Sequence, residues 1–403
     1  MSRTVALLLA LVLVLAACAS DGADDTEASA ATEAPAATEG PVATDAPEAT
    51  EAPAATDAPV ATDAADLAAC PDPIVITTDW FPESEYGGVY QLTGGEGSID
   101  PESGAFTGPL AYGDVPRDVE IRSGGPFVGF QPGSSLLYAD DDILLGFVNT
   151  DSQITLADST PTVAVFAAIE TNPQIVMFDP ETYSWDSWDD VRESGAVINT
   201  FAGAYYTDYL IATGIVDAEQ IDPSYDGSPA RFIAENGAIA QQGFATQEPY
   251  NYEFDFEDWG RPVDYLLIQD SGWEIYSQAL GIRADKLEDD TVRSCLGALV
   301  PILQQASVDF MADPGPTNDA ILQAVIDLDS FWVLSEAGIA NTIVMMEELD
   351  VIANGPNDTI GDFDLDRVSE VIRLGREVGL DIPEGLTAED VVTNEFIDPS
   401  IGR

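Results

Sequence analysis

The stretch TTDWFPESEYGGVYQL, residues 77–92, follows a β-branched run, Ile74-Val75-Ile76-Thr77-Thr78, that reads as a strand. Asp79-Trp80-Phe81-Pro82-Glu83 then breaks the pattern. Two large aromatics and two carboxylates stand where a strand runs out into a loop, and the rest of the chain has to explain that placement.

Downstream, apolar runs alternate with helical stretches. Val119–Ile121, Ile143–Val148 and Val163–Ile169 read as further strands, then Ile175–Phe178, Ala196–Phe201, Ala238–Phe244 and Val263–Ile268. Helices are expected between them at Tyr205–Thr213 and Pro229–Asn236. Such alternation predicts α/β sheets with ligand loops at the strand ends. About 335 residues suit two lobes better than one core. In the last third, Val292, Cys295, Leu296, Leu299 and Leu303, then Ile321, Leu322, Val325 and Ile326, then Leu365, Val368, Val371 and Ile372 recur at helical spacing. These helices are expected to pack on the first lobe and carry no chemistry.

Upstream, Arg3 is followed by an apolar run from Val5 to Ala17 that closes on Leu15-Ala16-Ala17-Cys18. The run is too short for a membrane helix and reads as a signal-peptide core. Leu-Ala-Ala-Cys resembles the bacterial lipobox, which makes residues 1–18 a lipoprotein signal and Cys18 the lipid-bearing residue of an extracytoplasmic, membrane-anchored protein. No other segment reads as a membrane span. Residues 19–66 repeat Ala, Thr, Pro, Asp and Glu with Val42 and Val60 as the only larger aliphatics. That composition cannot bury enough surface to fold, so the segment is expected to be a disordered, extended tether.

The chain carries 73 acidic and 13 basic residues, a net charge of −60 at pH 7. Twelve of the acids lie in 19–66, so 61 acids remain beyond it. A surface this negative repels nucleic acid and anionic lipid. A solvated acidic coat accounts for it, with adaptation to saline water as a hypothesis that a NaCl-independent melting temperature would contradict. With Cys18 lipidated, Cys70 and Cys295 form an even pair, and an exported protein most simply joins them in a disulfide.

Enzymatic options thin out by inventory. The sequence has no histidine, so Ser-His-Asp and Cys-His arrangements are impossible and histidine metal sites are absent. Lys286, in RADKLEDD, reads as solvated surface, and no G-x-x-x-x-G-K-[ST] loop is present. Carboxylate pairs are too frequent here to single out a glycosidase. Enzyme chemistry is therefore not expected, and neither a cofactor nor a metal is called for.

ITTDWFPESEYGGVYQL resembles the opening of the pyrimidine-precursor and sulfonate/nitrate class of periplasmic solute-binding proteins of ABC importers, in which a first strand leads into Asp-Trp-x-Pro and then Gly-x-Tyr. Asp79-Trp80-Phe81-Pro82 and Gly88-Val89-Tyr90 match; a position often filled by histidine is Tyr86 here. DVEIRSGG (118–125), LLGFVNTDS (144–152), VAVFAAIETNPQIVMF (163–178), DYLLIQDSG (264–272) and IGDFDLDRVSEVI (360–372) follow in order. The resemblance implies a two-lobed α/β periplasmic-binding-protein fold of type II. Residues 71–165 and 275–403 would form lobe one and 166–274 lobe two, joined by two crossover strands. It implies a monomer that hands its solute to an ABC permease.

It also implies a site. Trp80, with Phe81, would wall an aromatic ring, with Asp79 and Glu83 as acceptors and Tyr86 in the histidine position. Asn149 and Asp151 would form a second ligand loop. Thr200, Gly203 and Tyr205 would touch ligand in lobe two, where backbone N–H groups also suit an acceptor. Glu248, with Tyr250, would meet a ring amine, Glu253 being an equal rival, and Asp270 would be a cleft acid or a hinge contact. None of these residues is Lys or Arg, so a nitrogen heterocycle fits better than an anion. A thiamine-precursor pyrimidine comes first, riboflavin or a sulfonate/nitrate-type solute next. A non-transport surface lipoprotein is the alternative outside transport. One branch of the family makes the pyrimidine phosphate, consuming a histidine and a cofactor-bound lysine; this sequence lacks the first and shows only a surface-like example of the second.

Overall fold

In the computed structural model, residues 67–403 are described; the readings of a signal segment over 1–18, a lipid-bearing Cys18 and a tether over 19–66 fall outside them. Among the described residues the twelve strands are β1 (Ile74–Thr77), β2 (Ser98–Asp100), β3 (Ala105–Pro109), β4 (Asp118–Arg122), β5 (Leu145–Val148), β6 (Thr162–Phe166), β7 (Gln174–Phe178), β8 (Ile198–Asn199), β9 (Ile221–Asp222), β10 (Ala240–Phe244), β11 (Asp264–Leu267) and β12 (Ala279–Arg283). They make two sheets, each the floor of one lobe. The first runs β2-β3-β4-β1-β5-β12-β6 and the second β11-β7-β10-β8-β9.

Burial explains the first sheet. β1 lies between β4 and β5, parallel to both, and all four of its residues are buried. A strand covered on both faces needs an unbroken apolar run, which Ile74-Val75-Ile76 supplies. β4, nearer the edge, alternates, with Val119 and Ile121 inward and its polar residues outward. β12 returns from the second lobe and slots antiparallel between β5 and β6. The chain thus crosses between sheets twice, after β6 and before β12.

One guanidinium ties these crossings together. Arg367 donates to the carbonyls of Glu170 (2.9 Å) on the outgoing segment and of Glu274 (2.9 Å) and Ile275 (2.7 Å) on the return. Its plane lies 3.9 Å over the Tyr276 ring. Carbonyls of a connection that runs between two sheets find no ladder partner, and this fork supplies their donors.

The helix Asp290–Ala312 starts at Asp289, whose carboxylate accepts from the Thr291 N–H. It presents Cys295, Leu296, Leu299 and Leu303 to the first sheet's core, and Cys295 is disulfide-bonded to Cys70, just before β1. By length and hydropathy this helix could cross a membrane, contrary to the expectation that no further segment qualifies; 67% of its most apolar window is buried inside the protein, which accounts for the hydropathy.

The expectation that all late helices pack on lobe one is corrected. Leu365–Val378 lays Val368, Val371 and Ile372 into a cluster shared by Ile154 of lobe one and Tyr206, Leu210 and Trp273 from the second lobe and the return segment. Glu336–Glu348 also reaches across, Thr342 Oγ1 donating to the Thr246 carbonyl. Both helices are amphipathic, and periodicity says only that one face is buried, not against which partner. The strand expected over Ala196–Phe201 shrinks to Ile198–Asn199, because from Thr200 the chain turns toward the other lobe.

Candidate functional site

The turn after β1 sets the site. Thr78 Oγ1 donates to the Trp80 carbonyl (2.7 Å), and the Gly124 and Gly125 N–H groups donate to the carbonyls of Trp80 and Asp79, each at 3.0 Å. A β-carbon on Gly124 would lie 2.5 Å from the Asp79 backbone, so only glycine lets the two loops meet. The result projects the Trp80 indole, half-buried, between the lobes. On the lobe-one side it meets Phe130 and Trp332, at ring separations of 6.0 and 5.7 Å; on the other, Phe201 at 5.7 Å and the backbone of Gly227. Phe201 in turn packs on Tyr225 at 4.7 Å.

Below the indole lies an acidic layer. Asp79 Oδ1 accepts from the Tyr86 hydroxyl at 2.5 Å and from Gln278 Nε2 at 3.2 Å. Gln278, on the return crossing, donates its own N–H to Asn149 Oδ1 at 2.8 Å. Glu85 accepts from Thr246 Oγ1 and, at 2.8 Å, from Gln247 Nε2, both in lobe two. Glu83 takes a longer bond, 3.4 Å, from the same amide. Glu248 accepts from the Phe244 N–H at 2.7 Å.

Burial raises the pKa of all four carboxyls. Glu248 is pushed up to about 7, and Glu83, with Glu85, Asp79 and Glu248 adding like charge, stands well above the carboxylate range. Tyr225 and Tyr86 are raised for the same reasons, burial first and then carboxylate neighbours. Among the described residues no Lys or Arg pairs with this cluster; the salt bridges join other partners. The layer is therefore rich in acceptors and short of positive charge.

A structure from Bordetella bronchiseptica superposes over 81% of this chain and 96% of its own with a TM-score of 0.53, at 13% identity. A Candida albicans protein described as exhibiting the generic periplasmic binding protein fold covers 81% and 98% with a TM-score of 0.46, at 10% identity. A Parabacteroides distasonis ABC transporter structure covers 78% and 100% with a TM-score of 0.44, at 10% identity. No family model and no curated protein matches the sequence. With two sheets joined by two crossings, the architecture is decided. The fold is that of a bilobed periplasmic binding protein, type II in layout.

In this periplasmic-binding-protein fold the residues singled out from sequence scatter. Asp79 and Tyr86 are joined by a hydrogen bond, Asn149 joins them through Gln278, and Glu248 lies close enough to Glu83 and Glu85 for their charges to interact. Phe81 does not form a wall: it is 2% exposed, lies edge-on behind Trp80 and stacks on Trp332 within lobe one. Asp151 is buried structure rather than loop surface, accepting from Ser152 N–H (2.7 Å) and Trp273 Nε1 (3.4 Å), and burial pushes it up to about 6. Thr200 is fully buried, with its hydroxyl unpartnered; Gly203 is exposed, and Tyr205 opens the helix Tyr205–Ala212 half-buried. Tyr250 packs on Phe254, and Glu253 lies in the same turn, half-buried. Asp270 is exposed and lines an outer pocket with Glu170 and Arg367, on the hinge side rather than beside Trp80.

Sequence reasoning missed Trp332, Phe130, Phe201, Gly227, Gln247 and Gln278. For the aromatics and Gly227 the one available signal was an aromatic or a glycine in or beside a loop, which is common; the two glutamines gave none. The cavity bounded by Tyr225, Gly227, Glu248, Asn251 and Trp332 measures ≈ 20 Å³. That is room for about one water, so a ring-sized guest requires the lobes to part. Among the described residues no group of three or more His, Cys, Asp or Glu is placed to hold a metal.

Proposed function

We propose that this chain is the extracytoplasmic solute-binding component of an ABC importer, lipid-anchored through Cys18, that takes a small nitrogen heterocycle between its lobes without altering it. A thiamine-precursor pyrimidine is the first candidate. The observation that carries the reading is Trp80: an indole from lobe one, touching Phe201 and Gly227 of lobe two, above a layer of acceptors. An aromatic solute slid beside that indole gains contacts to both lobes at once, so the closed state is favoured when solute is present. The permease then reads closure. The lack of a cationic side chain in the layer argues against sulfonate and nitrate, which need fixed donors.

Thermal-shift screening of the purified protein against pyrimidines, flavins, sulfonates and polyamines tests it. A single class that saturates at one site supports transport. A rigid protein that responds to none supports the passive surface-lipoprotein reading instead.

A further inference from the structure

The acidic layer constrains the solute further. Glu83 and Glu85 are 3% and 1% exposed, and the free hydrogen-bonding capacity around them is one-sided. A carboxylate only accepts, so the Gln247 and Gln278 amides must turn their NH2 groups toward Glu83, Glu85 and Asp79, and they do. That leaves Gln247 Oε1 and Gln278 Oε1 as buried acceptors without a partner, on residues each 3% exposed. A buried acceptor left unpaired is destabilising, and a donor on a bound solute would relieve it. Asp79 and Glu85 each have two donors, but Glu83 has its long amide bond and faces a Tyr86 hydroxyl already committed to Asp79. Nothing positive offsets these charges. An anion placed here would meet only like charge, and a neutral acceptor-rich solute would leave both amide oxygens unpaired.

We infer that the solute is a small, flat organic cation carrying several N–H donors, with Glu83 as its counter-charge and the Gln247 and Gln278 amide oxygens as its acceptors. This deepens the solute-binding reading and rests on it. The charged and titratable groups facing Glu83 are Asp79, Glu85, Glu248, Tyr86 and Tyr90. Burial, and then the carboxylates among them, raise the Glu83 pKa well above the ordinary carboxylate value in the free protein. A cation placed against Glu83 favours the ionised form and draws off any proton held there, and the bound pair is N–H⁺ to carboxylate.

The test is titration calorimetry of the purified protein at pH 7.5 in two buffers of different ionisation enthalpy. The probes are benzamidine and agmatine as cations, cytosine as a neutral ring, and taurine and nitrate as anions. The expected result is saturable binding of a cation with proton release, visible as a buffer-dependent enthalpy. Glu83→Gln should weaken it at least tenfold while the exposed Glu274→Gln leaves it unchanged. The melting temperature of ligand-free Glu83→Gln should hold or rise, since the amide removes a buried acid among like charges, which separates lost binding from lost folding. Saturation by cytosine, taurine or nitrate with neither cation bound overturns the inference and leaves solute binding standing, as does an unchanged affinity in Glu83→Gln. Failure of all five probes counts against both.

Discussion

The Trp80 indole occupies the space where Gly227 would carry a side chain. Gly227 has φ +88°, and a β-carbon on it would lie 2.5 Å from Trp80 Cη2. Gly227→Ala therefore strains the backbone by roughly 1–2 kcal/mol and pushes against a ring belonging to the other lobe. The variant should bind solute at least tenfold more weakly, and its radius of gyration by small-angle scattering should not fall when solute is added. Wild-type affinity in this variant would mean that Trp80 and Gly227 do not need to meet.

Stability should fall as pH rises from 5 to 7.5. Asp151 and Glu248 are pushed up by burial to about 6 and about 7. A carboxyl whose folded pKa lies above its unfolded value binds more protons in the native state, so its contribution is full below the unfolded pKa and is lost as pH rises through the folded one. The surface charge acts in the same direction, so the informative quantity is a difference. Glu248→Gln, which cannot titrate but can still accept from Phe244, should show a shallower decline of melting temperature over this window at constant ionic strength. A curve parallel to wild type would show that Glu248 is not held protonated.

Much of the frame could be read from local pattern, because it depends on local burial. Ile74-Val75-Ile76 announces a strand covered on both faces, and the spacing of Cys295, Leu299 and Leu303 announces the long helix. Trp80 was legible too, since an aromatic at the end of such a strand has few places to go. Phe81 was not, because one step along the loop reverses which way a side chain faces, and Trp332 and Phe127 were waiting on that side. Gln278 and Gly227 are brought to the site by the return crossing and by a loop of the other lobe, and no sequence period connects them to residue 79. The helix Leu365–Val378 shows the same limit: its apolar face was evident, its bridging of two lobes was not.

Cys70 and Cys295, 225 residues apart in sequence, close most of the described chain into one loop. Replacing both with serine should lower stability by roughly 2–5 kcal/mol, read from denaturant midpoints at constant slope. Solute affinity should be unchanged, since neither cysteine supplies a hydrogen bond to the acidic layer; Tyr86 shares their core but donates its own hydroxyl to Asp79. A loss of affinity without loss of stability would contradict that separation.

The central claim, that a solute is held against Trp80 between the lobes, is tested most directly by calorimetric titration of wild type and Trp80→Ala with the best solute from the screen. One-to-one saturation by wild type, with affinity at least tenfold weaker in a Trp80→Ala protein that still melts cooperatively, is the expected result. Equal affinity in the two proteins would place the solute elsewhere and contradict the account.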